Sequence, residues 1–331
     1  METSKITIRD VALKAKVSIA TVSRFINNPS ALKEGNRQRV EKAVKELNYQ
    51  PMVFAQRLAG GKVNTYGLII PGYEGVFFSF YALEIIRDTA AAFDAKGIDL
   101  HLHIYWNHDS FRASLVDGVV FADILGNEKQ LKRLVAENIP VVVMNRRVGE
   151  SDTSCVWVDN VKGAFDAVEF LIRHGHKKIA HLAGDLNTQC AVERVEGYTK
   201  ALEKNSISLR SEYILKTNFS RKEAREQLKL LFEGKDLPTA IFCCSDEVAC
   251  EVLAFAEEKK MVVPKDLSVI GFDDNPYCVF GDLMLTTVRQ PLHKMAATAA
   301  DILKDLVDHK SGVQKIALEA ELVVRDTVSF V

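Results

Sequence analysis

The chain has 331 residues, 47% of them apolar, and its 43 lysines and arginines nearly balance 44 aspartates and glutamates. That is enough chain for two or three cores in an ordinary globular protein. It holds no run near the roughly 18 apolar residues of a membrane span, and the start Met1-Glu2-Thr3-Ser4-Lys5 lacks the apolar stretch of an export signal. A cytoplasmic location is therefore expected. Cys155, Cys190, Cys243, Cys244, Cys250 and Cys278 form no CxxC pair and read as reduced thiols. The charge is unevenly placed. Residues 1–62 carry 12 basic against 5 acidic side chains, and the remainder is net −8, so a polyanion is expected to meet the amino-terminal unit alone.

Ile8, Val11, Ala12 and Ala15 recur at helical spacing, and Thr7 with Asp10 makes a start like a capping box. Lys16-Val17-Ser18 interrupts. Ser18 then caps a second helix whose apolar positions are Val22, Phe25 and Ile26. A third helix turns Val40, Val44 and Leu47 inward and Arg37, Arg39, Lys42 and Lys45 outward. Two short helices, a tight turn and a third helix follow the helix-turn-helix plan.

Three stretches carry a resemblance: Ile6 through Ala12, Val17 through Asn27, and Arg39-Val40 through Leu47-Asn48-Tyr49-Gln50-Pro51. They resemble the headpiece of the lactose-repressor (LacI/GalR) family of bacterial transcription regulators. The resemblance implies that the second helix lies in the major groove with Ile19, Ala20 and Arg24 on base edges. Arg24 can donate two hydrogen bonds to a guanine, and Ile19 and Ala20 suit a thymine methyl. Thr7, Ser18, Thr21, Ser23 and Asn27 suit phosphates, which set register. Two positions depart from the family pattern. Lys16 stands where glycine is common, which costs about 1 kcal/mol if φ is positive. The third helix starts at Lys33-Glu34-Gly35, without a serine or threonine cap.

Residues 52–62 resemble the family's hinge helix, an Ala-x-x-Leu pattern before a glycine-rich exit, with Met52 where asparagine is common. By that resemblance Ala55 and Leu58 pair across a dimer axis and wedge a base step in the minor groove. About eight residues cannot hold a helix alone in water, so the segment is expected to order only with DNA and a partner hinge.

From Tyr66 the pattern alternates. Apolar runs at 67–71, 118–121, 140–144, 178–183, 240–244 and 267–272 read as buried parallel strands. Helical segments lie near 79–96, 127–137, 162–174, 190–204, 221–233, 246–259 and 292–308. The fold class is α/β and doubly wound, and no glycine-rich nucleotide motif occurs, so no cofactor is expected. Val158-Asp159-Asn160, Gly175 through Ala180, Glu193 through Tyr198, Ser245-Asp246, Val263 through Asp274 and Leu285 through Pro291 extend the resemblance over nearly the whole chain. It implies a periplasmic-binding-protein-like effector domain of two α/β subdomains. The division inferred is a headpiece at 1–50, hinge and linker at 51–62, and an effector and dimerisation domain at 63–331. Its N-subdomain would span about 63–160 plus 291–318, and its C-subdomain about 161–290 plus 319–331.

Carried over by motif, the cleft would use Asn145, Arg146, Arg194, Ser245, Asp273 and Gln290, with Tyr73 and Phe77 as a stacking face. Charged planar groups bond vicinal hydroxyls and aromatic faces cover C–H groups, so a sugar or sugar derivative is expected. Arg194 has a plainer alternative, an ion pair with Glu193 or Asp273. His101 and His103 alternate on one strand face, but two ligands are too few for a metal. The second and third strands are joined only by Trp106 through Val116, short by about a helix. Either that crossover is extended or the N-subdomain has lost a layer. No leucine heptad closes the chain, so a C2 homodimer on a near-palindromic operator is expected. A cytoplasmic sugar-binding module under a protein co-effector, a transport receptor and an α/β enzyme are the rivals. Asp273-Asp274 is a carboxylate pair, but adjacent residues project apart, so no enzyme is expected.

Overall fold

The computed structural model describes residues 6–27, 29–49, 62–149, 153–276 and 282–331. The amino-terminal unit is α1 (Ile8–Ala15), α2 (Ile19–Asn27) and α3 (Glu34–Leu47). Val11, Ala12, Ala15, Val22, Val40, Ala43 and Tyr49 form its core. The Thr7 N–H and hydroxyl both donate to Asp10 Oδ2, each at 2.7 Å. Lys16 ends α1 in the left-handed region at φ 54, where the Val17 N–H reaches the Ala12 carbonyl. Lys33 precedes α3 with no side-chain cap. Both departures noted in the sequence thus have a structural counterpart.

The body holds two six-stranded sheets. The first contains β1 (Thr65–Pro71), β2 (Asp99–Tyr105), β3 (Gly118–Phe121), β4 (Val141–Met144), β5 (Ser154–Val158) and β11 (Lys315–Leu318), in the order β11-β5-β4-β3-β1-β2. The second contains β6 (Ile179–Ala183), β7 (Ile214–Lys216), β8 (Ala240–Cys243), β9 (Ser268–Asp273), β10 (Thr286–Arg289) and β12 (Glu321–Val323), in the order β12-β10-β9-β8-β6-β7. All pairings are parallel except β10 with β12. Parallel sheets need apolar cover on both faces, which explains fully buried runs such as Gly118–Phe121 and Val141–Met144.

Helices supply that cover. Helices α4 (Phe80–Asp94) and α10 (Leu292–Val307) pack on one face of the first sheet, through Ile85, Phe93, Met295, Ala299 and Leu303. Helix α5 (Glu128–Ala136) covers the other face through Leu134. On the second sheet α6 (Asn160–Arg173) and α7 (Gln189–Lys204) take one face, and α8 (Arg221–Glu233) and α9 (Asp246–Glu258) the other. The chain passes between the sheets after β5, after β10 and between β11 and β12.

The short link from β2 to β3 resolves in favour of the extended crossover. It carries only the 3-10 turn Ala113–Leu115. Phe111 does the covering instead. It is 5% exposed, with the His101 and His103 rings edge-on at 5.6 and 5.4 Å. Beneath it lies Gly67, where a Cβ would come within 2.9 Å of the Phe111 ring. Arg133 and Gln130 of α5 hold the loop through Asp109, at 2.7 and 2.8 Å. The two histidine rings thus form an aromatic seat for Phe111.

Replacing Phe111 with alanine should cost about 3–5 kcal/mol in urea denaturation, since one ring stands in for a helix. Lys16→Gly should stabilise the headpiece by up to about 1 kcal/mol in a thermal melt, because glycine adopts positive φ without strain.

Candidate functional sites

The first candidate site is the outer face of α2. Ser18 starts the helix: its Oγ accepts from Thr21 N–H at 3.2 Å and shares a hydrogen bond with Thr21 Oγ1 at 2.9 Å. Val22 is buried and Phe25 and Ile26 pack against the core. Ile19, Ala20 and Arg24 are left exposed. An apolar side chain that is 45% exposed, as Ile19 is, and an arginine with no carboxylate within 4 Å among the described residues are surfaces without an internal purpose. Thr21 and Ser23 are half-buried. By contrast the cations of α3 are largely self-paired: Arg37 with Glu34, Lys45 with Glu41, Lys42 with Glu46. Thr7 gives its hydroxyl proton to Asp10, which argues against the expected phosphate bond from that group. Ala55 and Leu58 lie outside the described residues, as does the Asn27 side chain.

The second is a cavity of about 610 Å³ between the sheets. Its polar residues stand where strands end: Asp123 after β3, Asn145 after β4, Ser245 after β8, Asp273 closing β9 and Gln290 after β10. Each sheet has the 2-1-3-4-5 order of a doubly wound fold when read from β2 or β7, and ligands of such sheets sit beyond the carboxyl ends. Tyr73, Asn145, Arg194, Ser245, Asp273 and Gln290 all line the cavity. Phe77 and Arg146 do not. Phe77 lies in the one-turn helix Val76–Phe78 and is 55% exposed, and its neighbour Phe78 takes the lining place. Arg146 turns into an adjoining recess and bonds the Ile124 carbonyl.

Arg194 is 3% exposed. Its Nε donates to Asn160 Oδ1 at 3.0 Å, Nη1 donates to the Cys244 carbonyl, and the guanidinium lies 3.7 Å from the Phe272 ring centre. No carboxylate stands within ion-pair reach among the described residues, so the pairing with Glu193 or Asp273 is not made. Asp273 has φ 135, a strained region for a non-glycine residue. Burial pushes its carboxyl up, and nearby Asp246 adds to this against the pull of Arg194 and of Gln290 Nε2, which donates at 2.6 Å. Asp274 turns the other way. Burial works to raise it, but hydrogen bonds from Arg325 at 2.5 Å and Arg289 at 2.7 Å outweigh that and hold it below the usual range. The two adjacent carboxylates therefore do separate work.

Sequence reasoning missed Asp123, Glu247, Tyr81 and Phe219. Burial pushes Asp123 to about 6, against hydrogen bonds from Ile124 N–H and Asn145 Nδ2. Phe219 reaches the cavity over Gly184, where a Cβ would meet its ring at 2.2 Å. Asp123 directly follows a buried apolar run, and that position was the available signal.

The profile described as bacterial regulatory proteins, lacI family, matches residues 7–52, and that of a periplasmic binding protein-like domain matches 168–328. The HTH-type transcriptional repressor CytR of Escherichia coli (strain K12) is 32% identical over 96% of this chain and 95% of its own length. The chain belongs to the lacI family of bacterial regulatory proteins. Catabolite control protein A of Priestia megaterium is 33% identical over 90% of this chain and 91% of its own length. A solved complex of the transcriptional regulator CelR with cellobiose is 26% identical, with TM-score 0.71 over 97% of this chain and 99% of that one. A lac repressor dimer bound to operator and an anti-inducer superposes with TM-score 0.84 at 24% identity, over 98% of this chain and 100% of that one, and shows the shared fold. The lacI-family chain is thus a DNA-binding regulator with an effector domain.

Because the folded state holds Asp274 depressed, its contribution is present at neutral pH and lost as pH falls below the unfolded value near 3.9. Asp274→Asn should therefore lower stability by about 1–3 kcal/mol at pH 7 in urea titrations, and the gap to wild type should narrow progressively as pH falls below that value.

Proposed function

We propose that this chain is a dimeric transcription repressor whose grip on a near-palindromic operator is set by a sugar or sugar derivative in the inter-sheet cavity. One observation carries the reading: a helix with an exposed Ile19-Ala20-Arg24 face and a polar cavity at the ends of two sheets occur in one chain. Relatives named as repressors, and solved relatives described with operator DNA or cellobiose, support it. They favour a regulator working in the cytoplasm, without catalysis.

On this reading residues 1–50 are the headpiece, 51–62 the hinge and 63–331 the effector and dimerisation domain. Ile19, Ala20 and Arg24 read bases. Ser18, Thr21, Ser23 and Asn27 set register, and Ala55 and Leu58 kink the centre of the operator. Tyr73, Asn145, Arg194, Ser245, Asp273 and Gln290 contact the effector. The ligand acts only as far as it binds the two sheet arrangements with different affinity.

Fluorescence anisotropy on palindromic duplexes with a central CG step, at two salt concentrations, tests this. Wild type should bind selectively and steeply weaker with salt. Arg24→Ala should lose about 1–3 kcal/mol of sequence discrimination, and Leu58→Ala should lose most of the affinity. Weak, equal binding to every duplex by all three proteins would sink the proposal.

A further inference from the structure

The cavity's charges do not cancel. Five acidic residues line it, Glu74, Asp123, Asp185, Glu247 and Asp273, against Arg194 and Arg221. Arg221 spends its guanidinium on Glu251, with Nε and Nη2 each at 3.1 Å, and Arg194 is turned to an amide oxygen and a carbonyl. Among the described residues no lysine or arginine nitrogen stands within 4 Å of any of the five. A carboxylate withdrawn from water without a partner is costly.

Two buried amides at the cavity wall have unused hydrogen-bonding capacity of one sign. Asn145 and Gln290 are 8% and 7% exposed. Asn145 Nδ2 donates to Asp123 at 3.0 Å and Gln290 Nε2 to Asp273 at 2.6 Å. The carboxylates fix which end of each amide is the donor, so Asn145 Oδ1 and Gln290 Oε1 are left buried and unbonded. Helix starts are the usual donors in such clefts. Here one leading N–H of each of α4, α7, α8 and α9 is already taken, by Ser79, Thr188, Ser220 and Ser245 in turn. The Tyr81 hydroxyl donates to the Ala122 carbonyl at 2.7 Å. Beside the Arg194 N–H groups not given to Asn160 or Cys244 stand these acceptors and five carboxylates against two arginines, in a cavity also lined by Tyr73, Phe78, Phe80, Tyr81 and Phe219, and aromatic faces also attract cations.

We propose that the effector is a cation, a hydroxylated ring bearing a protonated amine, which makes it an amino sugar. The inference rests on the cavity being the effector site and names the ligand's class. The ammonium supplies three donors and the missing positive charge, and the ring hydroxyls donate to the two amide oxygens. Asp123 and Glu247 hold the amine, and their own preference agrees. Burial raises both carboxyls, and for Glu247 the opposing influences are only the Phe80 N–H and Arg221. Tyr73 and Asp273, which both feel the Glu247 charge, bring no positive charge of their own.

Isothermal titration of the full-length protein at pH 7.5 tests it. Probes are glucosamine, galactosamine and the glucosamine disaccharide, each beside its N-acetyl form and its neutral parent sugar. At least one amine should bind tenfold or more tighter than both counterparts. Glu247→Gln should weaken that amine about tenfold and shift neutral sugars less than twofold. Neutral sugars binding as tightly as the amines would overturn the inference and leave the cleft reading standing. Binding by none of the probes would remove both. A melt without ligand adds an independent arm. An acid raised in the folded state loses stability as pH climbs past its ordinary range, so Glu247→Gln should raise Tm at pH 8 and not at pH 4. An unchanged or lower Tm at pH 8 shows that the protein already neutralises Glu247, and overturns the inference.

Discussion

Two of the three places where the chain crosses between the sheets also hold the cavity's buried charges. Asn160, just past the first crossing, fixes Arg194 through its Oδ1, and its Nδ2 reaches the Val158 carbonyl at 3.1 Å. Gln290, at the second crossing, fixes Asp273. Each sheet has its own apolar cores, so each can move as a body. On the proposed reading, a rotation between them would turn about these crossings and re-aim Arg194 and Asp273. The strain at Asp273 belongs to the same arrangement. With φ 135 its carboxyl points inward, while Asp274, at φ 57, is pinned outward by Arg289 and Arg325. On the proposed reading, a site made from the strand ends of both sheets, with amides at the crossings, makes ligand occupancy and sheet angle one equilibrium.

The sheet on the amino-terminal side reaches this rigidity by an unusual route. Doubly wound sheets normally have two helices on each face, and here one place goes to a single ring. Phe111 can do it because the sheet yields beneath it at Gly67, and because His101 and His103 offer flat edges instead of branched bulk. Asp109 then fastens the loop to α5.

Much of this was readable from residue pattern. Buried parallel strands are apolar throughout, so runs such as Val141–Met144 announced themselves, and helix periodicity placed the seven large helices of the body to within a few residues. Short edge strands such as Ile214–Lys216 and Glu321–Val323 carry little apolar pattern, because edges are half-wet. The cavity was less legible than the fold. Residues fixed by strand ends, Asn145, Ser245, Asp273 and Gln290, could be placed from motif order. Phe77 and Phe78 could not be told apart, since a one-turn helix between a strand and α4 decides which ring faces in. Arg146 follows Asn145 directly, and the left-handed turn at Asn145, φ 59, sends it to another recess. Phe219 and Asp123 arrive from segments far apart in sequence, and only tertiary structure brings them together.

The headpiece and the cavity solve opposite electrostatic problems. On α2, Arg24 has no carboxylate within 4 Å among the described residues and lies at the surface, where water keeps the charge inexpensive. In the cavity Asp123, Glu247 and Asp273 accept hydrogen bonds but have no cation within 4 Å among the described residues, and they stand where water is scarce. On the proposed reading, a ligand that supplies positive charge gains more from an arrangement of the sheets that excludes water than from an open, hydrated one. That difference between states, rather than total affinity, is what can move the equilibrium of a regulator.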